Sequence, residues 1–191
     1  MELLKRFRPL LLVLLLAGPA TAPVSLAAAA APRSSEYTLK AAFLFNFTKF
    51  VDWPADAFAD EKSPFNLCVL GGDDPFGGSL DEVVANETVN GRPIAVRRVA
   101  READLRGCQM VFLSRAQRER QPEVLAGLRG SPVLTVGEAD RFLADGGLIR
   151  FFLEANRLVR FEVNLPAVER TPLKISSKLL RLAKVVGEEH R

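Results

Sequence analysis

Residues 108–114, Cys108-Gln109-Met110-Val111-Phe112-Leu113-Ser114, form a nearly continuous apolar run of about the length of one strand. Successive side chains of a strand point to opposite faces, so this run predicts a strand that is buried on both faces. Two similar runs, residues 65–70 and 133–136, lie before and after it along the chain. Strands of this kind are typical of a parallel sheet that helices cover on both faces.

The segments between these runs show the spacing of helices. Residues 71–75 predict a loop, and the apolar residues of the segment 76–84 recur at helical spacing. Residues 94–99 predict a partly solvated strand, residues 122–128 a helix and residues 139–143 a short helix. The alternation of strands and helices predicts an α/β fold with a mainly parallel, open sheet and helices on both faces.

The C-terminal part has a different pattern. Residues 148–153 and 158–164 predict an antiparallel hairpin, joined by a polar turn. Alternation in its second strand predicts three residues that face the core, Val159, Phe161 and Val163, and three that face solvent, Arg160, Glu162 and Asn164. A closing helix is predicted from an apolar face made of Ile175, Leu179, Leu182, Ala183 and Val186.

An aromatic-rich helix is predicted over residues 37–51, after the N-cap candidates Ser34 and Ser35. Its apolar residues at helical spacing are Leu39, Phe43, Phe47 and Phe50. A stripe this wide usually belongs to a core, and the alternative is an aromatic surface that faces a partner or a membrane. We expect Phe43 and Phe47 in the core, and one of Phe45 or Phe50 at a subunit or partner contact, because these pairs occupy different angular positions.

The N-terminus has the pattern of a secretory signal peptide. Lys5, Arg6 and Arg8 precede an apolar run that ends at Gly18-Pro19, and an Ala-rich stretch follows. The run is shorter than the roughly 20 residues of a spanning helix, so we expect no membrane span. We therefore expect a signal peptide over residues 1–31, cleaved within residues 25–31, and a single periplasmic domain over residues 32–191.

Charge and histidine content exclude several classes of function. The net charge is +3, but three of the 26 basic residues and one of the 23 acidic residues lie in the leader, which leaves +1. The remaining Lys and Arg residues are spread among Asp and Glu residues and form no basic stripe, so nucleic acid is not an expected partner. The single histidine is His190, beside the C-terminus, which argues against a histidine-dependent catalytic site and against zinc or copper. We expect no catalytic residue, metal or cofactor; carboxylate-only hydrolysis is the enzymatic alternative.

Cys68 and Cys108 are the chain's two cysteines, and both flank apolar runs. An even number of cysteines in an exported protein predicts a disulfide between them, and two separately buried thiols are the alternative. Closing a loop of about 40 residues stabilises a fold by about 4 kcal/mol in the chain-entropy account.

Two groups of polar residues are candidates for ligand binding. Asp73 and Asp74 follow a predicted strand and precede a helix, where open α/β sheets bind ligands; helix capping is the alternative. The second group lies near the start of the closing helix, whose N-terminus attracts anions. Its members are Glu162, Asn164, Lys174 and Ser176, for which the alternative is a capped helix with a surface Lys–Glu pair.

The chain resembles the YfiR family of secreted bacterial proteins. The most specific element is LKAAFLFNF at residues 39–47, followed by Trp53-Pro54. The resemblance continues through Tyr37, residues 49–51, Cys68, Cys108, residues 146–151, residues 160–164 and LKISSKLL at residues 173–180. It therefore covers nearly all of the chain after the leader.

The resemblance implies a non-enzymatic periplasmic regulator. It implies that the protein binds and represses the periplasmic sensor region of an inner-membrane diguanylate cyclase, which lowers cyclic-di-GMP signalling and biofilm formation. An outer-membrane-associated lipoprotein partner and a homodimer are also implied. The resemblance also implies that the Cys68–Cys108 pair matches a disulfide of the family, whereas a second cysteine pair of the family has no counterpart here. A small-molecule site that has been proposed for the family maps onto Glu162, Lys174 and Ser176. A small-ligand carrier or sensor is the alternative function.

Overall fold

The structure is a computed structural model that describes residues 31–187, with side chains from residue 35 onward. The predicted leader, apart from its last residue, and His190 lie outside the described residues. Within residues 31–187, no helix combines the length and the apolar character needed to cross a membrane.

A twisted sheet forms the centre of the described part of the chain. Its strands, together with a separate two-stranded ribbon, are β1 Val51–Asp52, β2 Phe65–Leu70, β3 Thr88–Val89, β4 Arg92–Val99, β5 Met110–Leu113, β6 Leu134–Gly137, β7 Ile149–Leu153, β8 Val159–Asn164, β9 Lys174–Ile175 and β10 Lys184–Val186. The sheet has the order β10-β8-β7-β6-β5-β2-β4-β3, and β1 pairs with β9 in the ribbon. Strands β4, β2, β5, β6 and β7 are parallel, whereas β7 and β8 form the antiparallel hairpin. The predicted fold class is confirmed.

Helices pack on both faces of this sheet. They are α1 Ala31–Thr48, α2 Ser79–Val84, α3 Gln121–Gly127, α4 Leu165–Val168 and α5 Ser177–Leu180. Short 3₁₀ turns occur at Ala55–Ala57, Glu102–Leu105 and Arg115–Gln117. The two faces have separate hydrophobic clusters, one beneath α1 and α2 and the other beneath α3.

The alternation of side chains along β2 and β5 explains why nearly all residues of both strands are apolar. One face of the two strands packs in the cluster beneath α1 and contains Phe65, Leu67, Val69, Met110 and Phe112. The opposite face packs in the cluster beneath α3 and contains Cys68, Leu70, Val111 and Leu113. Burying one such side chain contributes about 1.5–3 kcal/mol, so both faces gain from an apolar residue at each position.

Helix α1 lies on the β7–β8 hairpin through aromatic contacts. Phe47 is fully buried, with its ring centroid 5.8 Å from that of Phe151 and 5.0 Å from that of Phe161. Phe43 contacts the same two rings but is only partly buried, so the predicted core position is confirmed for Phe47 and holds in part for Phe43. Leu39, predicted on the core face, is instead 43% exposed.

The predicted bounds of α1 need correction. The described part of the helix already starts at Ala31, before residue 37, and the helix ends at Thr48 rather than at residue 51. It ends there because Val51 and Asp52 form β1, whose backbone pairs with Ile175 and Lys174 of β9. The last residues of the predicted helix therefore form a strand instead.

The predicted closing helix is wrong for most of its length. Helix α5 has four residues, and the chain then forms β10, which pairs in parallel with β8. The edge of β8 needs hydrogen-bond partners, and two adjacent β-branched residues, Val185 and Val186, suit a strand. As a result Leu182, predicted to face the core, is 67% exposed.

The predicted short helix over residues 139–143 is a series of turns instead. The apolar character of this segment reflects core packing rather than a helix, since the ring of Phe142 is fully buried between two glycines. A Cβ atom on Gly137 or on Gly147 would overlap that ring. These glycines therefore make room for a core side chain.

Candidate functional site

The two cysteines form a disulfide in the structure, as predicted. Cys68 lies within β2 and Cys108 lies just before the neighbouring strand β5, with 6.0 Å between their Cα atoms. Both residues are buried, and Nη1 of Arg97 lies 3.7 Å from the Sγ atom of Cys108. The bridge thus joins two adjacent central strands.

The loop that contains Asp73 and Asp74 lies at the carboxyl end of β2, as predicted. Neither aspartate caps α2, which starts at Ser79 with no side-chain cap. Asp74 accepts a hydrogen bond from the backbone N–H of Phe76 and forms an ion pair with Arg98 at 2.8 Å. Asp73 is exposed. The carboxylate of Asp74 is therefore already engaged by protein groups.

Arg98 also pairs with Asp81 in α2. The hydrogen bonds from Arg98 hold the pKa of the Asp81 carboxyl below its usual range, and those bonds raise the pKa of Arg98. The strand β4 and helix α2 are thus connected by an ion-pair group at the protein surface.

Glu162 points away from the core beneath α1, as the alternation of β8 predicts, but it does not face solvent. It is only 6% exposed, because Nε of Arg150 lies 2.6 Å from its Oε1 and Nζ of Lys184 lies 3.5 Å from its Oε2. Arg150 also approaches Asp140 at 3.5 Å. The predicted solvent-facing position of Glu162 is wrong, since β10 and Arg150 cover it.

The other residues of the second predicted ligand group have separate local roles. Asn164 caps α4 by accepting from the N–H of Ala167, and its Nδ2 donates to the carbonyl of Leu143. Ser176 caps α5, while the backbone of Lys174 lies opposite Asp52 in the register of the β1–β9 ribbon. In the described part of the chain, the hydrogen bonds and ion pairs of Glu162 do not include Lys174 or Ser176.

Phe45 and Phe50, the predicted contact candidates, lie near the end of α1. Phe45 is 8% exposed, and the ammonium of Lys49 lies 3.9 Å from its ring centroid. Phe50 is partly buried, and its carbonyl accepts a hydrogen bond from the N–H of Ser176. The structure therefore brings Phe50 next to Ser176 and beside the ribbon that contains Lys174.

The structure also contains a buried polar cluster that the helix and strand patterns of the sequence do not predict. Its centre is Glu138, which follows β6 and contacts Lys40 and Tyr37 of α1 and the backbone N–H of Arg115 after β5. Lys40 is 3% exposed and also pairs with Glu36 at 2.5 Å. The carboxyl ends of parallel neighbours lie at one edge of a sheet, so the cluster fastens α1 to that edge.

The environment of Tyr37 agrees with this structural role. Burial of the phenol, and next the nearby charge of Glu138, raise the pKa of Tyr37 well above its usual range. Tyr37 is therefore a neutral hydrogen-bond donor to Glu138 at any physiological pH. The sequence signal for this cluster is Lys40, a cation inside the apolar segment 39–47, with Tyr37 three residues earlier.

A comparison with protein families matches residues 37–184 to a family described as YfiR/HmsC-like. The match includes the buried polar cluster, the disulfide and the ribbon beside α1. This family consists of periplasmic, non-catalytic regulators of cyclic-di-GMP signalling, and a disulfide fits that oxidising compartment. Because the match extends over most of its 191 residues, the chain belongs to the YfiR/HmsC-like family.

Proposed function

We propose that this protein is a non-enzymatic periplasmic regulator that binds the periplasmic sensor region of an inner-membrane diguanylate cyclase and represses it. The observation that carries the proposal is the family match over residues 37–184. Repression lowers cyclic-di-GMP and, with it, biofilm formation. Export by a signal peptide over residues 1–31 delivers the protein to the compartment in which the disulfide is stable.

We propose that the end of α1 and the adjacent β1–β9 ribbon form the contact with the cyclase or with a second copy of the chain. Phe50 offers apolar surface there, and the same region carries exposed charged residues, Lys49 beside it in sequence and Lys174 in the ribbon. Aromatic residues with a polar rim are typical of protein interfaces. An outer-membrane-associated lipoprotein that sequesters the regulator belongs to the same proposal.

Deletion of the gene in its host tests this function. We expect cyclic-di-GMP and surface attachment to rise, and the full-length chain to restore both to the level of the parent strain. A version without residues 1–31 stays in the cytoplasm and is expected not to restore them. Unchanged cyclic-di-GMP in the deletion strain, under conditions where the gene is expressed, contradicts the proposal.

The contact surface has its own test in the same strain. The variant Phe50→Ala is expected to remain folded and to lose repression, whereas Leu39→Ala is the matched control, because Leu39 is an exposed apolar residue of α1 away from Phe50 and the ribbon. Pull-down of the tagged chain from membranes, followed by mass spectrometry, identifies the partner. Equal repression by both variants removes the proposed surface without removing the proposed function.

A further inference from the structure

A cavity of about 400 Å³ lies between α3 and α4. Its apolar walls come from separate parts of the chain and include Leu125 of α3, Leu128 directly after α3, Val133 before β6, Leu148 before β7 and Ala167 of α4. This volume lies within the range of pockets that enclose small organic ligands, which are also mostly apolar inside. The cavity is separate from the polar cluster around Glu138 and from the ribbon beside α1.

The frame of this cavity is held by hydrogen bonds of its own polar residues. The buried hydroxyl of Thr135 accepts from the N–H of Leu148 at 3.1 Å. Asn164 joins the loop at Leu143 to α4 through its side-chain amide. Because these bonds connect the walls to one another, the cavity is formed before any ligand arrives, which lowers the cost of binding.

Two arginines at the cavity carry uncompensated charge. Arg129 and Arg170 both line it and are exposed, and within residues 35–187 neither has a carboxylate oxygen within 4.0 Å. Asp145, the acidic residue of the lining, accepts a hydrogen bond from Gln121 at 2.8 Å and pairs with Arg141 at 3.6 Å. The residues around the cavity therefore combine apolar walls with two arginines whose guanidinium groups have no carboxylate partner within residues 35–187.

We propose that this cavity binds a small amphipathic anion. The apolar body of the ligand packs against the leucine-rich walls, and its acid group pairs with Arg129 and Arg170, since guanidinium groups bind carboxylates through two parallel hydrogen bonds. A neutral molecule with the same body lacks those bonds. The proposal concerns the isolated protein and does not depend on the proposed repression of a cyclase.

Calorimetric titration of the secreted, disulfide-bonded protein tests the ligand class. The probes are dodecanoate, for an acid derived from lipid, and 1-naphthaleneacetate, for an aromatic acid. The corresponding alcohols, dodecanol and 1-naphthaleneethanol, are the uncharged controls. We expect at least one acid to bind at a single site and its alcohol to bind at least about tenfold more weakly, the loss that missing charge-assisted hydrogen bonds produce. The acid that binds shows whether the ligand is an acid derived from lipid or an aromatic acid.

Variants of the lining complete the experiment. The double variant Arg129→Gln with Arg170→Gln removes both charges from exposed positions, and Ala144→Trp fills the cavity from an exposed position of the lining. Both are expected to weaken binding of the acid at least about tenfold. The control Arg106→Gln removes an exposed arginine outside the lining and is expected to leave affinity unchanged. Circular dichroism verifies that each variant is folded.

Three results overturn the proposal. The first is the absence of single-site binding for both acids. The second is undiminished binding by the double arginine variant or by Ala144→Trp. The third is an equal loss in Arg106→Gln, because it would reveal non-specific attraction to positive charge.

Discussion

Lys40 and Glu138 are charged residues that lie buried in the structure, although residues of these types usually lie at the protein surface. Lysine and glutamate are rarely buried without a partner, and here each supplies the other's counter-charge. Desolvation makes such a pair a weak source of stability, but removal of one member leaves the other charged and buried. The pair consequently specifies how α1 sits on the sheet edge.

The first prediction concerns this pair. Glu138→Ala is expected to lower the free energy of unfolding by about 3 kcal/mol, the lower end of the range for a broken buried pair, because Lys40 retains Glu36. Urea unfolding measures the effect. Arg160→Gln is the control, since it breaks an exposed pair with Glu154 and should cost less than about 1 kcal/mol. Equal effects of the two variants contradict the assigned role.

The second prediction concerns Tyr37, the only tyrosine of the chain. Its pKa is raised in the folded protein, so the folded state keeps a proton that the unfolded state loses above about pH 10. The stability that Tyr37 contributes is therefore complete below that pH and is lost as the pH rises further. Ultraviolet titration of tyrosinate should show ionisation well above pH 10 in the native protein and near pH 10 in urea. A native titration near pH 10 would show that Tyr37 is solvated.

Among the helices, α1 has a clear sequence signal and contacts several other elements. Its aromatic residues contact the hairpin strands, and its polar cluster contacts the loops after β5 and β6. Helical periodicity predicts that such a helix forms, but it does not determine which residues at each end of the helix face the core. This is why Phe47 is buried as predicted while Leu39, two turns earlier, is exposed.

The third prediction tests this orientation of α1. Phe47→Ala is expected to cost about 3–5 kcal/mol of unfolding free energy, because a fully buried aromatic ring leaves a cavity among Phe43, Phe151 and Phe161. Leu39→Ala on the same helix is expected to change stability by less than about 0.5 kcal/mol. Chemical unfolding of both variants gives the comparison. A comparable loss for Leu39→Ala would place that residue in the core.

At the scale of the whole molecule, the central strands connect the two hydrophobic clusters of the described residues. Residues of β2 and β5 belong to both clusters, so disruption of either strand affects both faces. The disulfide between Cys68 and Cys108 joins these two strands, 40 residues apart in sequence. Its effect should therefore extend to global unfolding.

The fourth prediction follows from that position. Reduction of the disulfide is expected to lower the free energy of unfolding by about 4 kcal/mol, a large part of the 5–15 kcal/mol typical of a domain. The melting temperature of the reduced, alkylated protein should fall clearly below that of the oxidised protein. Non-reducing peptide mapping should show the linked pair. Two freely alkylatable thiols in freshly purified protein would contradict the bridge.

The fold class and the central strands follow from the sequence by itself, because alternation and apolar runs are local signals of burial. The apolar runs at residues 65–70 and 108–114 predict central strands, and both are found there. The cysteine count and the expected export predict the disulfide. These predictions succeed because the physical cause, the removal of apolar side chains from water, depends on residue types within a short segment of the sequence.

Only the tertiary structure decided the features that depend on distant partners. The C-terminal segment forms β10 rather than a long helix because β8 offers it an edge, and Glu162 is covered because β10 and Arg150 approach it. The Lys40–Glu138 pair joins residues almost 100 positions apart, and the cavity between α3 and α4 has walls from several elements. Pairing of charges and closing of cavities depend on distances between elements, which no local pattern contains.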